Sequence, residues 1–177
     1  MEFFEVIEKR YSHKERFLPD GVPLTDLEKI AKAGLAAPTG GNSQYVRLII
    51  LPDREVLQPL CDVSPTEGLL TAPCAIALLT DPNAHRVQWN FEMEDYSAAA
   101  AQMLLAATAL GYVSLWLDSP YFDEEKQKLA KKVLGAPESY KLRVVLPIGL
   151  ADGEGSRREK MTFNERVSYR RFGSQNR

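Results

Sequence analysis

The chain has 177 residues and a formal net charge of −2 at pH 7, with 45% hydrophobic and 26% charged residues. This length and composition predict one globular domain over residues 1–177. The slightly acidic balance argues against nucleic acid as the main partner. The longest apolar run, residues 98–113, contains polar residues and is too short to cross a membrane. The acidic N-terminus is not typical of a signal peptide, so we expect a cytoplasmic protein.

Cysteine and histidine are scarce. Cys61 and Cys74 are the only cysteines, and His13 and His85 are the only histidines. Neither pair has the spacing of a metal-binding motif, and two isolated cysteines cannot build a disulfide framework. We therefore expect no metal centre, and we interpret both histidines as ordinary polar residues.

The N-terminal half contains two predicted helices and one strand. Apolar residues at three- and four-residue spacing predict an amphipathic helix over residues 2–9. Thr25 and Glu28 form a capping-box pattern that predicts the start of a second helix, which ends before Pro38. Residues 46–51 then predict a strand and residues 54–60 a short helix. No element is assigned to residues 61–72.

The C-terminal half alternates strands and helices. Residues 74–79 predict a strand buried on both faces. An alanine-rich helix over residues 89–110 belongs at the centre of the fold or in a subunit interface. Further elements are a strand over 112–117, a helix over 123–134, a strand over 142–148 and a capped turn at Thr162 and Glu165. Four strands and five or six helices in mixed order predict an α+β sandwich.

The loop between the second helix and the first strand is unusual in composition. It consists of small or amide residues: Thr39, Gly40, Gly41, Asn42, Ser43 and Gln44. A glycine pair lets the backbone approach a ligand closely. The hydroxyl and amide groups suit a flat heterocycle that carries donors and acceptors on its edge. A connecting loop rich in turn formers is the alternative interpretation.

A second motif precedes this loop, in the basic segment KRYSHKERF at residues 9–17. Together, R-Y-S-H-K and A-P-T-G-G-N-S-Q resemble the two N-terminal signatures of the nitroreductase family of FMN-dependent oxidoreductases. Residues 112–117 resemble the family strand that places backbone amides against the flavin, and residues 147–149 resemble its "iGyp" element. The resemblance implies a nitroreductase-like α+β fold, with a mixed, mostly antiparallel central sheet flanked by helices, in an obligate homodimer.

The same resemblance implies three groups of FMN-binding residues. The first group binds the phosphate and the pyrimidine edge, the second is the loop that reaches the flavin of the partner subunit, and the third supplies backbone amides to N5 and O4. Arg157 competes with Arg158 for the register of the C-terminal basic pair. The implied residues are Arg10, Tyr11, Ser12, Lys14, Pro38, Thr39, Gly40, Asn42, Gln44, Leu115, Trp116, Leu117, Arg158 and Lys160.

The basic residues also fit simpler interpretations. Arg10, Ser12 and Lys14 alternate along an extended segment, so all three can point to one side. A solvated basic helix end explains them without a ligand, and a solubilising tail explains Arg158 and Lys160 equally well.

The sequence departs from the family pattern in two places. Gln44, Tyr45 and Val46 stand where the family has Gln-Pro-Trp, and Asp118 stands where a glycine is usual. Three aromatic residues near the start of the longest helix either pack in the core or form a lid over the flavin: Trp89, Phe91 and Tyr96.

We expect an FMN-dependent oxidoreductase. It passes hydride from NAD(P)H through FMN N5 to a small acceptor such as a nitroaromatic or a quinone, in a ping-pong order. No catalytic residues in the usual sense are expected, because the cofactor carries the hydride. The departures at Tyr45 and Asp118 motivate an alternative, a flavin-binding protein without turnover that serves storage, sensing or electron transfer. A third hypothesis is an interaction domain without flavin, whose basic tail binds an acidic partner.

Overall fold

The computed structural model describes residues 1–84 and 88–174, so His85 lies outside the described residues. In this part the chain forms seven α-helices: α1 (Phe3–Lys9), α2 (Leu24–Leu35), α3 (Arg54–Val63), α4 (Glu67–Thr71), α5 (Glu92–Ala109), α6 (Glu124–Val133) and α7 (Phe163–Arg166). It also forms four strands: β1 (Arg47–Leu51), β2 (Cys74–Thr80), β3 (Val113–Ser114) and β4 (Lys141–Gly149). Two 3-10 turns lie at Gly40–Asn42 and Ser119–Phe122.

The four strands form one sheet in the order β1-β2-β4-β3, and each neighbouring pair is antiparallel. A single parallel bridge between Ser12 and Ser114 extends the sheet at its β3 edge. The predicted α+β architecture with a mostly antiparallel sheet flanked by helices is therefore confirmed.

Strand β2 separates two hydrophobic cores. Ile76 and Leu78 point into one core with α2 and α5, while Ala77 and Leu79 point into the other with α3 and α6. Successive side chains of a strand face opposite sides of the sheet. A strand that is apolar on both sides must be covered by helices on both sides. The predicted burial of both faces of β2 is confirmed along its whole length.

Helix α5 lies at the centre of the first core. Ala100 and Ala107 are fully buried there, and the helix packs closely on α2. A Cβ atom on Gly34 of α2 would lie 2.6 Å from the side chain of Met103, so only glycine allows this approach without a shift of the methionine. Along residues 1–84 and 88–174, no helix has both the length and the apolar character that a membrane crossing requires.

Two predicted helix starts are wrong. Helix α2 begins at Leu24 behind Pro23, without a side-chain cap, so Thr25 and Glu28 do not form the expected capping box. Proline has no backbone N–H, and an N–H at the start of a helix has no partner within the helix, so proline is well tolerated there. Helix α5 begins at Glu92, where the Asn90 side chain accepts the Glu92 amide at 2.9 Å. The capped turn predicted at Thr162 and Glu165 is confirmed.

Three other expectations change with the structure. Trp89 precedes α5 and is 65% exposed, so it does not pack in the core. The strand predicted over residues 112–117 shortens to β3, with one further bridge from Leu117 to Val145. The unassigned residues 61–72 complete α3 and form α4.

Candidate functional site

A cleft of about 430 Å³ lies beside the extended segment that follows α1. Arg10, Ser12 and Lys14 line this cleft. Between them, His13 turns inward and is fully buried. This alternation follows from the extended backbone, which points successive side chains to opposite sides. The structure therefore places the three residues on one side, as their spacing predicted.

The C-terminal tail supplies the opposite wall of the cleft through Arg158 and Lys160. Within the described part of the chain, the side chains of Arg10, Lys14, Arg158 and Lys160 form no hydrogen bond or ion pair. Glu8 is the one carboxylate among the described residues that line the cleft. Such a concentration of cationic donors suits a phosphate or another polyanion.

Arg157 lines the same cleft but is already engaged. Its guanidinium donates to the carbonyl oxygens of Glu8 and Lys9, each at 2.7 Å. These carbonyls belong to the last turn of α1, where the helix itself provides no donors. The guanidinium also lies 5.2 Å from the centre of the Tyr11 ring. Arg157 therefore attaches the tail to α1, which leaves Arg158 as the free arginine of the pair.

The Tyr11 ring also packs against the tail at Gly155. A Cβ atom on Gly155 would lie 2.3 Å from the Tyr11 ring, so glycine is required for the close approach. His13 Nε2 lies 2.8 Å from the carbonyl oxygen of Arg16. A carbonyl oxygen can only accept, so Nε2 donates this hydrogen bond. His13 Nδ1 can then accept from the Tyr11 hydroxyl at 3.3 Å. Burial raises the pKa of Tyr11, and the charge of Glu15 adds to this effect.

Glu15 provides the second attachment between the two walls. One of its carboxylate oxygens accepts from the Ser156 hydroxyl at 2.9 Å and from the Ser156 amide at 3.2 Å. The other accepts from the Lys14 amide at 2.9 Å. These hydrogen bonds, the Ser156 hydroxyl first, lower the pKa of Glu15 to about 2. Neither Glu15 nor Ser156 is predicted as a site residue by the sequence, because no local pattern links residues so far apart in the chain.

The loop of predicted flavin contacts lies elsewhere. Thr39 and Gln44 line a separate cleft of about 220 Å³, which shares no lining residue with the basic cleft. Pro38, Asn42 and Gln44 are exposed, and Gly40 is partly buried. The structure of one chain therefore brings together Arg10, Tyr11, Ser12, Lys14, Arg158 and Lys160, but it does not bring the loop residues to them.

The predicted backbone donors after β3 require a correction. The Leu115 amide donates to the Pro147 carbonyl at 3.3 Å, and the Leu117 amide donates to the Val145 carbonyl at 3.0 Å. Both leucine side chains are buried. These two amides are therefore committed to β4 and are not free for a flavin.

Trp116, between these two leucines, differs from them. Within the described residues its amide has no hydrogen-bond partner, and its indole donates to Asp118 Oδ2 at 2.8 Å. The His13 amide donates to the Ser114 carbonyl at 3.0 Å, which joins this segment to the wall of the basic cleft. Of the three predicted backbone donors, Trp116 is the one that the structure leaves free.

Comparison with known proteins assigns the chain to a family. The sequence model of the Nitroreductase family matches residues 7–67 and 62–150, which together span most of the chain. The protein belongs to the nitroreductase family.

Individual relatives support the same assignment. A protein of Archaeoglobus fulgidus, named as a candidate NADH dehydrogenase/NAD(P)H nitroreductase, is 35% identical over 130 residues, which cover 73% of this chain and 74% of the relative. The structure of an FMN-dependent nitroreductase from Clostridium difficile R20291 is 26% identical, has a TM-score of 0.81 and aligns over 96% of this chain and 99% of its own.

A nitroreductase with bound FMN from Bacteroides fragilis NCTC 9343 is 21% identical and has a TM-score of 0.77, with 96% of this chain and 98% of that chain covered. At this level of identity the likeness concerns the fold alone. The similarity to these structures confirms the predicted nitroreductase-like fold.

Glu15→Gln is expected to destabilise the folded protein at neutral pH but not in acid. The carboxylate has an ordinary pKa of 4.5 and a folded pKa of about 2. Its contribution is therefore complete above about pH 4.5 and is lost as the pH falls through about 2. The Tm of the wild type and that of the variant should differ at about pH 7 and converge towards about pH 2.5.

Glu28→Gln is the matched control, because Glu28 is an exposed carboxylate of α2 without a hydrogen bond in the described part of the chain. Its Tm should follow that of the wild type across the range. A Tm deficit of Glu15→Gln that does not change with pH would contradict the role of the charged Glu15.

Proposed function

We propose that the protein is an FMN-dependent oxidoreductase of the nitroreductase type that uses NAD(P)H as the reductant. The observation that carries this proposal is the basic cleft, where four cations without partners in the described residues surround Ser12. A phosphate monoester carries the charge and the acceptor oxygens that this donor set fits. The names of the relatives from Archaeoglobus fulgidus and Clostridium difficile support NAD(P)H and FMN respectively.

Each residue of the cleft has a distinct role in this proposal. Arg10 suits bidentate binding of the phosphate, Ser12 adds a hydroxyl donor, and Arg158 with Lys160 completes the phosphate site. Lys14 supplies positive charge to the pyrimidine edge of the flavin, where negative charge develops on reduction. When bound, FMN would supply the redox chemistry, namely hydride transfer from NAD(P)H to an acceptor such as a nitroaromatic or quinone in two half-reactions. The chain itself contributes binding, orientation and electrostatics.

The proposal includes a homodimer. The loop with Thr39, Asn42 and Gln44 lies outside the basic cleft of its own chain, so a second copy must supply it if both groups contact one flavin. The surface is consistent with such an assembly, because large apolar side chains of α1 and the tail are exposed. They are Phe3, Phe4, Ile7, Met161, Phe163 and Phe172. Each flavin site then combines the basic cleft of one subunit with the loop of its partner.

The spectrum of the purified protein tests the proposed function directly. Protein incubated with FMN and then freed of unbound flavin should keep the visible flavin band. NADH or NADPH should bleach this band in the absence of oxygen, and a quinone or nitroaromatic should restore it. A retained band that neither nucleotide bleaches would favour the flavin-binding protein without turnover, and the absence of any bound flavin would overturn the proposal.

Arg10→Ala is expected to raise the dissociation constant of FMN by roughly tenfold or more, since a hydrogen bond to a charged group contributes about 1.5–3 kcal/mol. Arg170→Ala removes the same charge from an exposed part of the tail that does not line the cleft. It should leave the dissociation constant unchanged. Titration of FMN fluorescence measures both values, and equal effects of the two substitutions would contradict the phosphate assignment.

Mixing two defective variants tests the shared site. Arg10→Ala removes the arginine that binds the phosphate. Asn42→Gly removes the side-chain amide of the loop, and glycine tolerates the positive φ of 55° found at this position. In a mixed dimer one site carries both defects and the other carries none. After subunit exchange, about a quarter of all sites should regain wild-type affinity for FMN. Mixtures that bind no better than the separate variants would show that both residues serve the site of one chain.

A further inference from the structure

The loop that follows α2 contains three residues in the left-handed region of backbone conformation. Asn42 and Gln44 have φ angles of 55° and 53°, in the left-handed region, and Gly41 between Gly40 and Asn42 has a φ of 58°. Glycine adopts this region freely and asparagine tolerates it, so the cost falls mainly on Gln44, whose conformation persists only where the surroundings enforce it.

Hydrogen bonds within the loop hold its central turn. The Asn42 amide donates to the Thr39 carbonyl at 3.0 Å, and the Ser43 amide and hydroxyl both donate to the Gly40 carbonyl. The Gln44 side chain donates to Asn42 Oδ1 at 2.8 Å, and the Gln44 amide reaches Thr39 Oγ1 at 3.4 Å. Asn42 and Gln44 are exposed, so water competes for these last two bonds. Contacts from outside the loop add support at its two ends.

Helix α5 makes such contacts at the start of the loop. The Gly40 amide donates to Asp95 Oδ1 at 2.8 Å, and Asp95 is only 2% exposed. Phe91 packs against the same glycine so closely that a Cβ atom on Gly40 would lie 2.2 Å from its ring. Phe91 and Asp95 are four residues apart and therefore lie on one face of the helix. One helix face thus fixes Gly40 through a hydrogen bond and through ring packing.

Asp95 also acts at the end of the loop. Tyr45 stands where the family pattern has proline, and its side chain is 5% exposed. The Tyr45 hydroxyl and Asp95 Oδ2 are both buried, and neither has a hydrogen-bond partner in the described residues. Burial raises the pKa of Tyr45 to about 12, and the negative charge of Asp95 is the next cause. Asp95 therefore holds Gly40 by a hydrogen bond and acts on Tyr45 through its charge.

We propose that Asp95 is a positioning residue of the flavin site. By holding the Gly40 amide with Oδ1 from a buried position in α5, it keeps the loop in the conformation that presents Thr39, Asn42 and Gln44 to the flavin. Tyr45 and Asp95 together replace the stiffness that proline gives to this position in the family pattern. The inference rests on the proposed function, because it takes the ligand of the loop to be FMN.

Two measurements on Asp95 variants test this role. Hydrogen exchange of the Gly40 amide is measured in protein without flavin, and the dissociation constant of FMN is measured by titration. In Asp95→Ala both the exchange rate and the dissociation constant should rise by about tenfold or more. Asp95→Asn should largely retain the wild-type values, because its amide oxygen still accepts from Gly40. Glu94→Ala removes the exposed neighbouring carboxylate and should change neither value.

Unchanged Gly40 exchange in Asp95→Ala would overturn the proposal, and so would faster exchange with unchanged FMN affinity. If the wild type binds no FMN, the proposed function fails, while the exchange of the Gly40 amide still decides whether Asp95 holds the loop. The two failures are therefore distinguishable.

A second pair of variants serves if Asp95→Ala does not fold. Gly40→Ala places a Cβ atom against the Phe91 ring and should weaken FMN binding by about tenfold. Adding Phe91→Ala removes the overlap and should restore most of the lost affinity. The absence of any rescue in the double variant would overturn the role of this helix face.

Discussion

The candidate site depends on the C-terminal end of β4, where several chain segments meet the rigid sheet. Gly149 pairs with Val113 of β3, and just beyond it the Leu150 carbonyl accepts the Leu18 amide at 2.9 Å. A Cβ atom on Gly149 would lie 2.8 Å from Pro73 and 3.0 Å from Phe17, so this convergence requires glycine. Because β4 is buried and paired on both sides, the segments that form the basic cleft start from a fixed base.

The charged residues around the cleft fall into two groups. One group forms hydrogen bonds that build the cleft, and the other has no partner within the described residues. Arg157 neutralises the carbonyl end of α1, and Glu15 holds Ser156, so both are satisfied inside the chain. The remaining cations have no such partners within the described residues and repel one another. Their proximity costs stability that an anionic ligand would return on binding. The attachments through Tyr11, Glu15 and Arg157 are what hold these charges close together.

The sequence carries information about some of these features and not about others. Local patterns correctly indicated three features. The continuous apolar run predicted β2, the order of strands and helices predicted the α+β class, and the two-residue spacing of Arg10, Ser12 and Lys14 predicted their common orientation. The choice between Arg157 and Arg158 depends on which side chain reaches the end of α1, and no local pattern encodes that distance. The commitment of the Leu115 and Leu117 amides to β4 depends on strand pairing in the same way.

Both departures from the family pattern have structural counterparts. Asp118, where glycine is usual, accepts the Trp116 indole at 2.8 Å and its carbonyl accepts the Tyr121 amide, so it stabilises the turn after β3. Tyr45, where proline is usual, is buried, and the negative charge of Asp95 acts on its hydroxyl. The first departure therefore provides a structural contact and is not by itself an argument against turnover.

The second departure changes which part of the chain controls the loop. A proline fixes φ through its own ring and needs no partner for that effect. A tyrosine imposes no such restraint, so its backbone is fixed only while the side chain stays buried and Asp95 holds the start of the loop. The conformation of Asn42 and Gln44 then depends on the first turn of α5, a helix that also forms the first core. In this chain the geometry of the loop is thus coupled to the packing of the domain, whereas a proline would make it a local property of the sequence.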